Sequence, residues 1–205
     1  MRKNMTFQRQ IGEIYRLKIP FDGVYTSVFY IQTEQGGVLV DTAATAQDAE
    51  EYIFPALQTL GVSLSEITHL VLTHSHGDHS GGAARILALL PSIKMVTGNN
   101  EKLPNGLTMY TLKGHTYDSV GVLDARSATL ISGDGLQGDG VGKFPRTLES
   151  KEEYLRTIQA LQSDKKIKNI LFSHAYKPWQ KDGVFGREEV EKCLQDCIDC
   201  LNKGE

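Results

Sequence analysis

"LTHSHGDHSGG", residues 72–82, puts three histidines and one aspartate within six positions, at the end of an apolar run, "ITHLVLT", that reads as a buried strand. Two histidines share a helix face at i and i+4. His74 and His76 stand at i and i+2, which point the same way only on extended chain. Asp78 and His79 follow at once, and Gly77 eases the sharp turn this demands. Imidazole and carboxylate at such spacing form a metal-ligand set. A lone histidine here would read as a solvated or hydrogen-bonded residue. Four ligand-type residues together favour one pair for one cation and the second pair for another, the two cations roughly 3.5–4 Å apart as in di-metal hydrolases.

Outward from this turn, residues 11–40 are strand-like. "IGEIYRLKI", "TSVFYIQT" and "GVLVDT" are rich in β-branched and aromatic residues, with "PFDG" and "EQGG" as turns between them. "TAQDAEEYIFPALQTLG" predicts a helix, with Ala49, Tyr52, Ile53, Ala56, Leu57 and Leu60 recurring at three and four; Gly61 closes it and Pro55 kinks it. Beyond the cluster, "GGAARILALLP" predicts a helix and "SIKMVTG" a strand. "GLTMYTL", "SVGVLDA" and "ATLISGD" predict three more strands. A Gly-rich loop, "GLQGDGVGKFPRTLES", leads to the helix "SKEEYLRTIQALQS", the strand "KNILFSH" and the amphipathic helix "GREEVEKCLQDCIDCLNK". Without a repeat, a linker or a composition break, residues 1–205 read as one mixed α/β domain.

His-x-His-x-Asp-His after an apolar strand resembles the metallo-β-lactamase superfamily, and further matching pieces follow in order. "LKGHTYDS" carries His115, "TLISGDGL" carries Asp134, "NILFSHA" carries His174, and "VLVDT" carries Asp41; the resemblance runs from about residue 23 to about 175. It implies a four-layer αβ/βα sandwich, two mixed β-sheets flanked by helices. It implies that His74, His76 and His115 hold one metal, that Asp78, His79 and His174 hold a second, that Asp134 bridges both, and that Asp41 buttresses the ligand loop. Two departures stand out. His174 lies in "FSHAYKPW" where the family has a Gly-His-Gly-like surround, and Tyr117 replaces the proline common in the Gly-His-Thr-Pro-Gly run. His69, within the strand, is left as a structural residue.

By the same resemblance, a hydroxide bridging two divalent cations attacks a carbonyl or phosphoryl group, with Asp78 and Asp134 as the catalytic carboxylates. Zinc suits the all-nitrogen-and-carboxylate set, and iron or manganese are compatible with it. β-Lactamases of the best-known class carry a cysteine at the place of Asp134, ribonuclease Z-like nucleases an RNA-gripping arm, and classical glyoxalase II a further helical domain. A short glyoxalase II-like hydrolase of a small ester, thioester or lactone remains. The alternatives are a non-haem iron redox protein, against which His76 counts because di-iron relatives place a glutamate there, and a ribonuclease Z-like phosphodiesterase. Substrate-binding expectations fall on Tyr117, Lys143, Arg146 and Tyr176, with Lys177 and Trp179 beside the last.

The resemblance implies a small-molecule substrate, and composition argues against nucleic acid and membrane as partners. With 22 Lys+Arg against 25 Asp+Glu, net charge −3, no polybasic surface invites nucleic acid or anionic lipid. No run approaches a membrane span, "MRKNMTFQRQIGEI" lacks the apolar core of a secretory signal, and three clustered cysteines do not make a disulfide framework, so a cytoplasmic location is expected. Cys193, Cys197 and Cys200 have the Cys-x3-Cys-x2-Cys spacing of an iron–sulfur motif, but with Val190, Leu194, Ile198 and Leu201 they form one helical stripe and read as packing residues.

Overall fold

The computed structural model describes residues 5–98, 102–136, 148–176 and 181–203. They fall into two compact units. One takes in the chain up to Thr97 with Lys102–Asn105, the other Gly98 and the chain from Gly106 onward. Each is one mixed sheet with helices packed on it, so the expected two mixed sheets flanked by helices are present.

In the first unit the strands lie in chain order: β1 (Gln8–Ile11), β2 (Ile14–Phe21), β3 (Val24–Thr33), β4 (Gly36–Val40), β5 (Ile67–Val71) and β6 (Lys94–Val96). The first four pair antiparallel, while β4, β5 and β6 run parallel. Parallel neighbours need crossovers, and helices supply them. Alternate residues Leu17 and Ile19, Val28 and Tyr30, with Leu39 and Leu70, turn to the helical face and are buried there. The stretch that reads as a single strand over 11–19 is in fact interrupted by a tight turn at Gly12–Glu13, and β1 folds back on β2.

The β4–β5 crossover is a continuous helical run: α1 (Ala46–Asp48), a π turn (Ala49–Ile53) and α2 (Phe54–Thr59). Thr45 caps its start, Oγ1 accepting the Asp48 N–H at 3.0 Å. Pro55 lies inside the run, at the start of α2. The run continues, because the turn before the proline widens and the Phe54 N–H reaches the Ala49 carbonyl, so the missing donor falls at the start of a fresh α segment. Burial holds the run in place: Ala49, Ile53, Ala56 and Leu57 are all inaccessible. Two further helices, α3 (Gly77–Ser80) and α4 (Ala83–Leu89), carry the chain from β5 toward β6.

The second unit has β7 (Leu107–Thr111), β8 (Val120–Asp124), β9 (Thr129–Ile131), β10 (Asn169–Leu171) and β11 (Gly183–Phe185), in the order β11-β10-β9-β8-β7. Only β9 and β10 are parallel, and α5 (Lys151–Ser163) crosses between them. α5 and α6 (Arg187–Lys203) bury Tyr154, Ile158, Leu161, Val190 and Leu194 against Leu123, Leu130, Ile170 and Phe172. Cys193 and Cys197 are buried in the same core, Cys200 packs at its margin, and no disulfide joins them.

One side chain joins the two helices. The Arg187 guanidinium, at the start of α6, donates to the carbonyls of Gln162, Asp164 and Ile167 at 2.8–3.1 Å, satisfying acceptors at the C-terminal end of α5. Hydrogen bonds from a charged donor contribute about 1.5–3 kcal/mol, so Arg187→Ala should lower unfolding stability by roughly 2 kcal/mol in denaturant titration. Arg187→Lys should restore little, since an ammonium lacks the planar fork. No helix among the described residues is long and apolar enough to cross a membrane.

Candidate metal centre

The histidine turn leaves β5 at its carboxyl end. His74 is three residues past Val71, whose register partner on the parallel neighbour is Val40, and Asp41 follows Val40 directly. Loops at the carboxyl ends of parallel strands are where α/β folds place their sites. His76 ends the extended segment at φ −60, ψ 145 and begins α3, the four-residue helix that carries Asp78 and His79. The turn presses against residues 42–45. A Cβ on Gly81 would sit 1.8 Å from the Ala44 carbonyl oxygen, and one on Gly82 2.4 Å from that of Thr42, so only glycine fits. Thr42 completes the seat: its N–H and hydroxyl both donate to the His79 carbonyl at 2.8 Å, and its Oγ1 accepts from the Gly82 N–H at 3.0 Å.

Asp41 organises the ligands from beneath. It is fully buried, with φ at 64, a conformation that aspartate tolerates better than most residues. Oδ1 accepts the Thr73 N–H at 2.8 Å; Oδ2 accepts the Thr73 hydroxyl at 2.9 Å and lies 2.8 Å from His79 Nδ1. Because a carboxylate only accepts, Nδ1 of His79 carries the proton and Nε2 is left as the lone-pair nitrogen. The Thr73 hydroxyl has given its one proton to Asp41, so its oxygen accepts from His74 Nδ1 at 3.1 Å. That leaves Nε2 of His74 as a lone pair as well. Both imidazoles are thus set in the tautomer a cation needs, and the cause is one buried carboxylate. Thr73 and Thr42 do not stand out in the sequence. The available signal is a threonine at the polar end of a buried strand, next to the first ligand.

The second unit presents His115, Asp134 and His174. Asp134 lies three residues past Ile131 at the end of β9, and His174 three past Leu171 at the end of β10, and Ile131 and Leu171 are register partners. Ser132 ties the two ends, its N–H donating to the Leu171 carbonyl at 3.0 Å. Equal offsets on paired strands bring His174 Nε2 within 3.3 Å of Asp134 Oδ1. His115 Nε2 lies 3.8 Å from Oδ2, the other oxygen. The His115 loop is pinned from both sides: Glu149 N–H donates to its carbonyl, and Ser150 N–H to that of Gly114. Gly114 has φ +133, and a Cβ there would meet Tyr154 at 2.4 Å.

The donor set fits a divalent cation. Four ligands at 2.0–2.1 Å in a tetrahedron stand about 3.3–3.4 Å from one another, whereas a charge-assisted N–H···O bond closes to about 2.7–2.9 Å. His79 Nε2 to Asp78 Oδ2 is 3.4 Å and His174 Nε2 to Asp134 Oδ1 is 3.3 Å, the spacing of atoms that share an ion. Among the described residues, His74, His76, Asp78 and His79 of the first unit and His115, Asp134 and His174 of the second are the ligand-type side chains that could hold one. Apart from His76 and the half-covered Asp78, these residues are buried.

Among the other expected residues, Tyr176 stacks on His174, with ring centroids 5.2 Å apart and planes 30° apart. Tyr117 is 61% exposed, next to Thr116 in the His115 loop, and its N–H donates to Glu149 Oε2 at 2.7 Å. Lys143, Arg146, Lys177 and Trp179 lie outside the described residues. His69 sits on β5 with Nδ1 2.9 Å from the Thr68 hydroxyl and is not one of the candidate metal-holding side chains found among the described residues.

The chain is similar to several known proteins. The model of the metallo-beta-lactamase superfamily matches residues 21–96. An atrochrysone carboxyl ACP thioesterase of Pseudocercospora fijiensis is 25% identical over 164 residues, 73% of this chain and 47% of the relative. A beta-lactamase-like protein 2 homolog of Caenorhabditis elegans is 27% identical over 164 residues, 70% of this chain and 54% of the relative. The chain therefore spans about half the length of these curated relatives. The metallo-beta-lactamase FIM-1 of Pseudomonas aeruginosa, solved in a mono-zinc form, superposes with a TM-score of 0.73 at 18% identity, over 96% of each chain. The chain thus has the fold of the metallo-beta-lactamases, and its residues 21–96, which include the His-x-His-x-Asp-His turn, match the model of that superfamily.

Proposed function

We propose that the chain is a metal-dependent hydrolase that cleaves a small thioester or related ester. His74, His76 and His115 would hold one divalent cation, Asp78, His79 and His174 a second, and Asp134 both. The observation that carries the reading is that His74 and His79 are both engaged through Nδ1, by Thr73 and Asp41, which favours the tautomer whose Nε2 carries the lone pair a cation takes. The thioester class is supported by the relatives named as thioesterases, among them Thioesterase pkgB of Emericella nidulans, 28% identical over 150 residues.

Bound cations, with zinc the first choice and iron or manganese compatible, would supply Lewis acidity and bring the pKa of a water to near neutral. The chain's own groups do the rest. Asp78 is the ligand-set carboxylate with solvent access, its side chain 16% exposed, and it takes the proton of the attacking water. As the new C–O bond forms and the C–S bond breaks, that proton passes to the departing sulfur. Asp41 stays buried and keeps the imidazoles from turning. Asp134, with one oxygen toward His115 and the other toward His174, fixes the separation of the two ligand sets.

The test is turnover of a panel of thioesters, lactones and phosphodiesters by the purified chain. Thioester hydrolysis is expected; it should fall to background after chelator treatment and return with added zinc. In Asp78→Ala it should drop by roughly 10²–10⁴-fold, the scale on which one proton-transfer group acts. Turnover indifferent to the chelator, or none from protein shown to hold two cations, would sink the proposal.

A further inference from the structure

We infer that Tyr176 is a positioning residue: its ring fixes the plane of the His174 imidazole and so sets how tightly that histidine binds a divalent cation. The inference rests on the metal-centre reading above, but it concerns a residue that the ligand set does not include. The histidine's Cβ–ring torsion is broad and roughly two-fold, so the backbone alone does not choose the ring's plane. His79 is oriented through Nδ1 by Asp41, and His74 through Nδ1 by Thr73. For His174, Tyr176 supplies a flat face, with centroids 5.2 Å apart and planes at 30°, within the range of offset stacking.

The backbone of this segment is already set. Phe172 N–H donates to the Asp182 carbonyl at 3.0 Å, and the Leu171 carbonyl accepts from Ser132 at the end of β9. His174 itself is 2% exposed, whereas Tyr176 is only partly covered. The course of the chain is thus held by backbone hydrogen bonds, and the stack acts on the rotation of the imidazole. The charge balance acts in the same direction. An imidazole that donates to a cation becomes more positive, and the negative π face of tyrosine favours that state over the uncharged one. The stack strengthens when the ion binds. Residues that orient a ligating histidine without touching the ion typically change metal affinity about 10–100-fold when removed.

The experiment is a titration of the metal-stripped full chain with Zn2+ against a chromophoric chelator, repeated with Co2+, whose d–d absorption reports the ligand geometry. Tyr176→Ala and Tyr176→Leu are expected to weaken one of the two binding steps about tenfold and to shift the Co2+ bands. Tyr176→Phe keeps the ring face and should stay within about twofold of the parent protein. Alanine and leucine variants that both bind as the parent does would overturn the role of Tyr176 and leave the metal centre intact. A phenylalanine variant as weak as alanine would also overturn it, by moving the effect from the ring to the hydroxyl. If the parent protein takes up neither ion, the metal-centre reading itself falls, and this inference with it.

Discussion

Asp134→Ala should leave the chain unable to retain two cations and should lower thioester turnover by roughly 10³-fold or more, at the upper end of what a single catalytic group contributes. The reason is shared use. Every other proposed ligand serves one ion, whereas Asp134 turns Oδ1 toward His174 and Oδ2 toward His115, at 3.3 and 3.8 Å. Alanine removes an anionic oxygen from both sets and leaves two histidines facing each other across the gap. The like charges of two cations are then less screened from each other, so the loss should exceed that of a histidine serving one ion. Elemental analysis of the purified variant should return at most one cation per chain, against two for the parent. Asp134→Asn separates charge from shape: it keeps one oxygen, loses the anion, and should fall between the two. A doubly loaded, fully active Asp134→Ala protein would exclude a bridging role for this carboxylate. The fold should survive, because Asp134 sits in a short turn between Gly133 and Gly135 at the end of β9 and carries little of the apolar core.

Where sequence and structure agree and where they part follows from how local each cause is. The histidine turn is legible because four ligand-type residues seldom crowd into six positions unless a cation is there to hold, and because i and i+2 on extended chain share a face. The strands β3, β4 and β5 announce themselves as apolar runs long enough to be buried. The break at Gly12 does not, since β-branched and aromatic residues lie on both sides of it and only the pairing of Ile11 with Ile14 reveals the turn. β11 escapes because three residues are too few to show a period of two. At Pro55 the sequence announces a disturbed helix but not its form: the turn before the proline widens, and Ile53, Ala56 and Leu57 stay buried. The Asp41–Thr73–His74 relay is out of reach for a different reason. It depends on which group spends its single hydroxyl proton where, and that is a property of three-dimensional distances 32 residues apart in the chain.

That relay makes Asp41 the position where folding and chemistry are most tightly joined, and two substitutions should separate them. Asp41→Ala strands the Thr73 N–H and the His79 Nδ1–H in a fully buried place, and also puts alanine at φ 64. Each buried donor left unsatisfied costs about 1–3 kcal/mol, and a left-handed conformation adds roughly 1 kcal/mol or more. For a chain of this length that corresponds to a fall in Tm of roughly 10 °C or more. Asp41→Asn is gentler to the fold, since asparagine keeps the volume and tolerates the left-handed region. Its Oδ1 can still accept from the Thr73 N–H, but its amide then points a donor at both the Thr73 hydroxyl and His79 Nδ1. Each must respond: His79 loses the acceptor that held its proton on Nδ1, and the Thr73 hydroxyl is freed to donate to His74 instead of accepting from it. Both rings are thereby pushed toward the tautomer with the proton on Nε2, the nitrogen that must face the cation. Asp41→Asn should therefore melt within a few degrees of the parent protein yet bind Zn2+ about 10–100-fold more weakly. Thermal denaturation and chelator competition on the same samples would check both halves. An asparagine variant that loses stability and keeps its zinc affinity would mean that Asp41 serves the fold alone, and that the imidazoles take their tautomers from some other group.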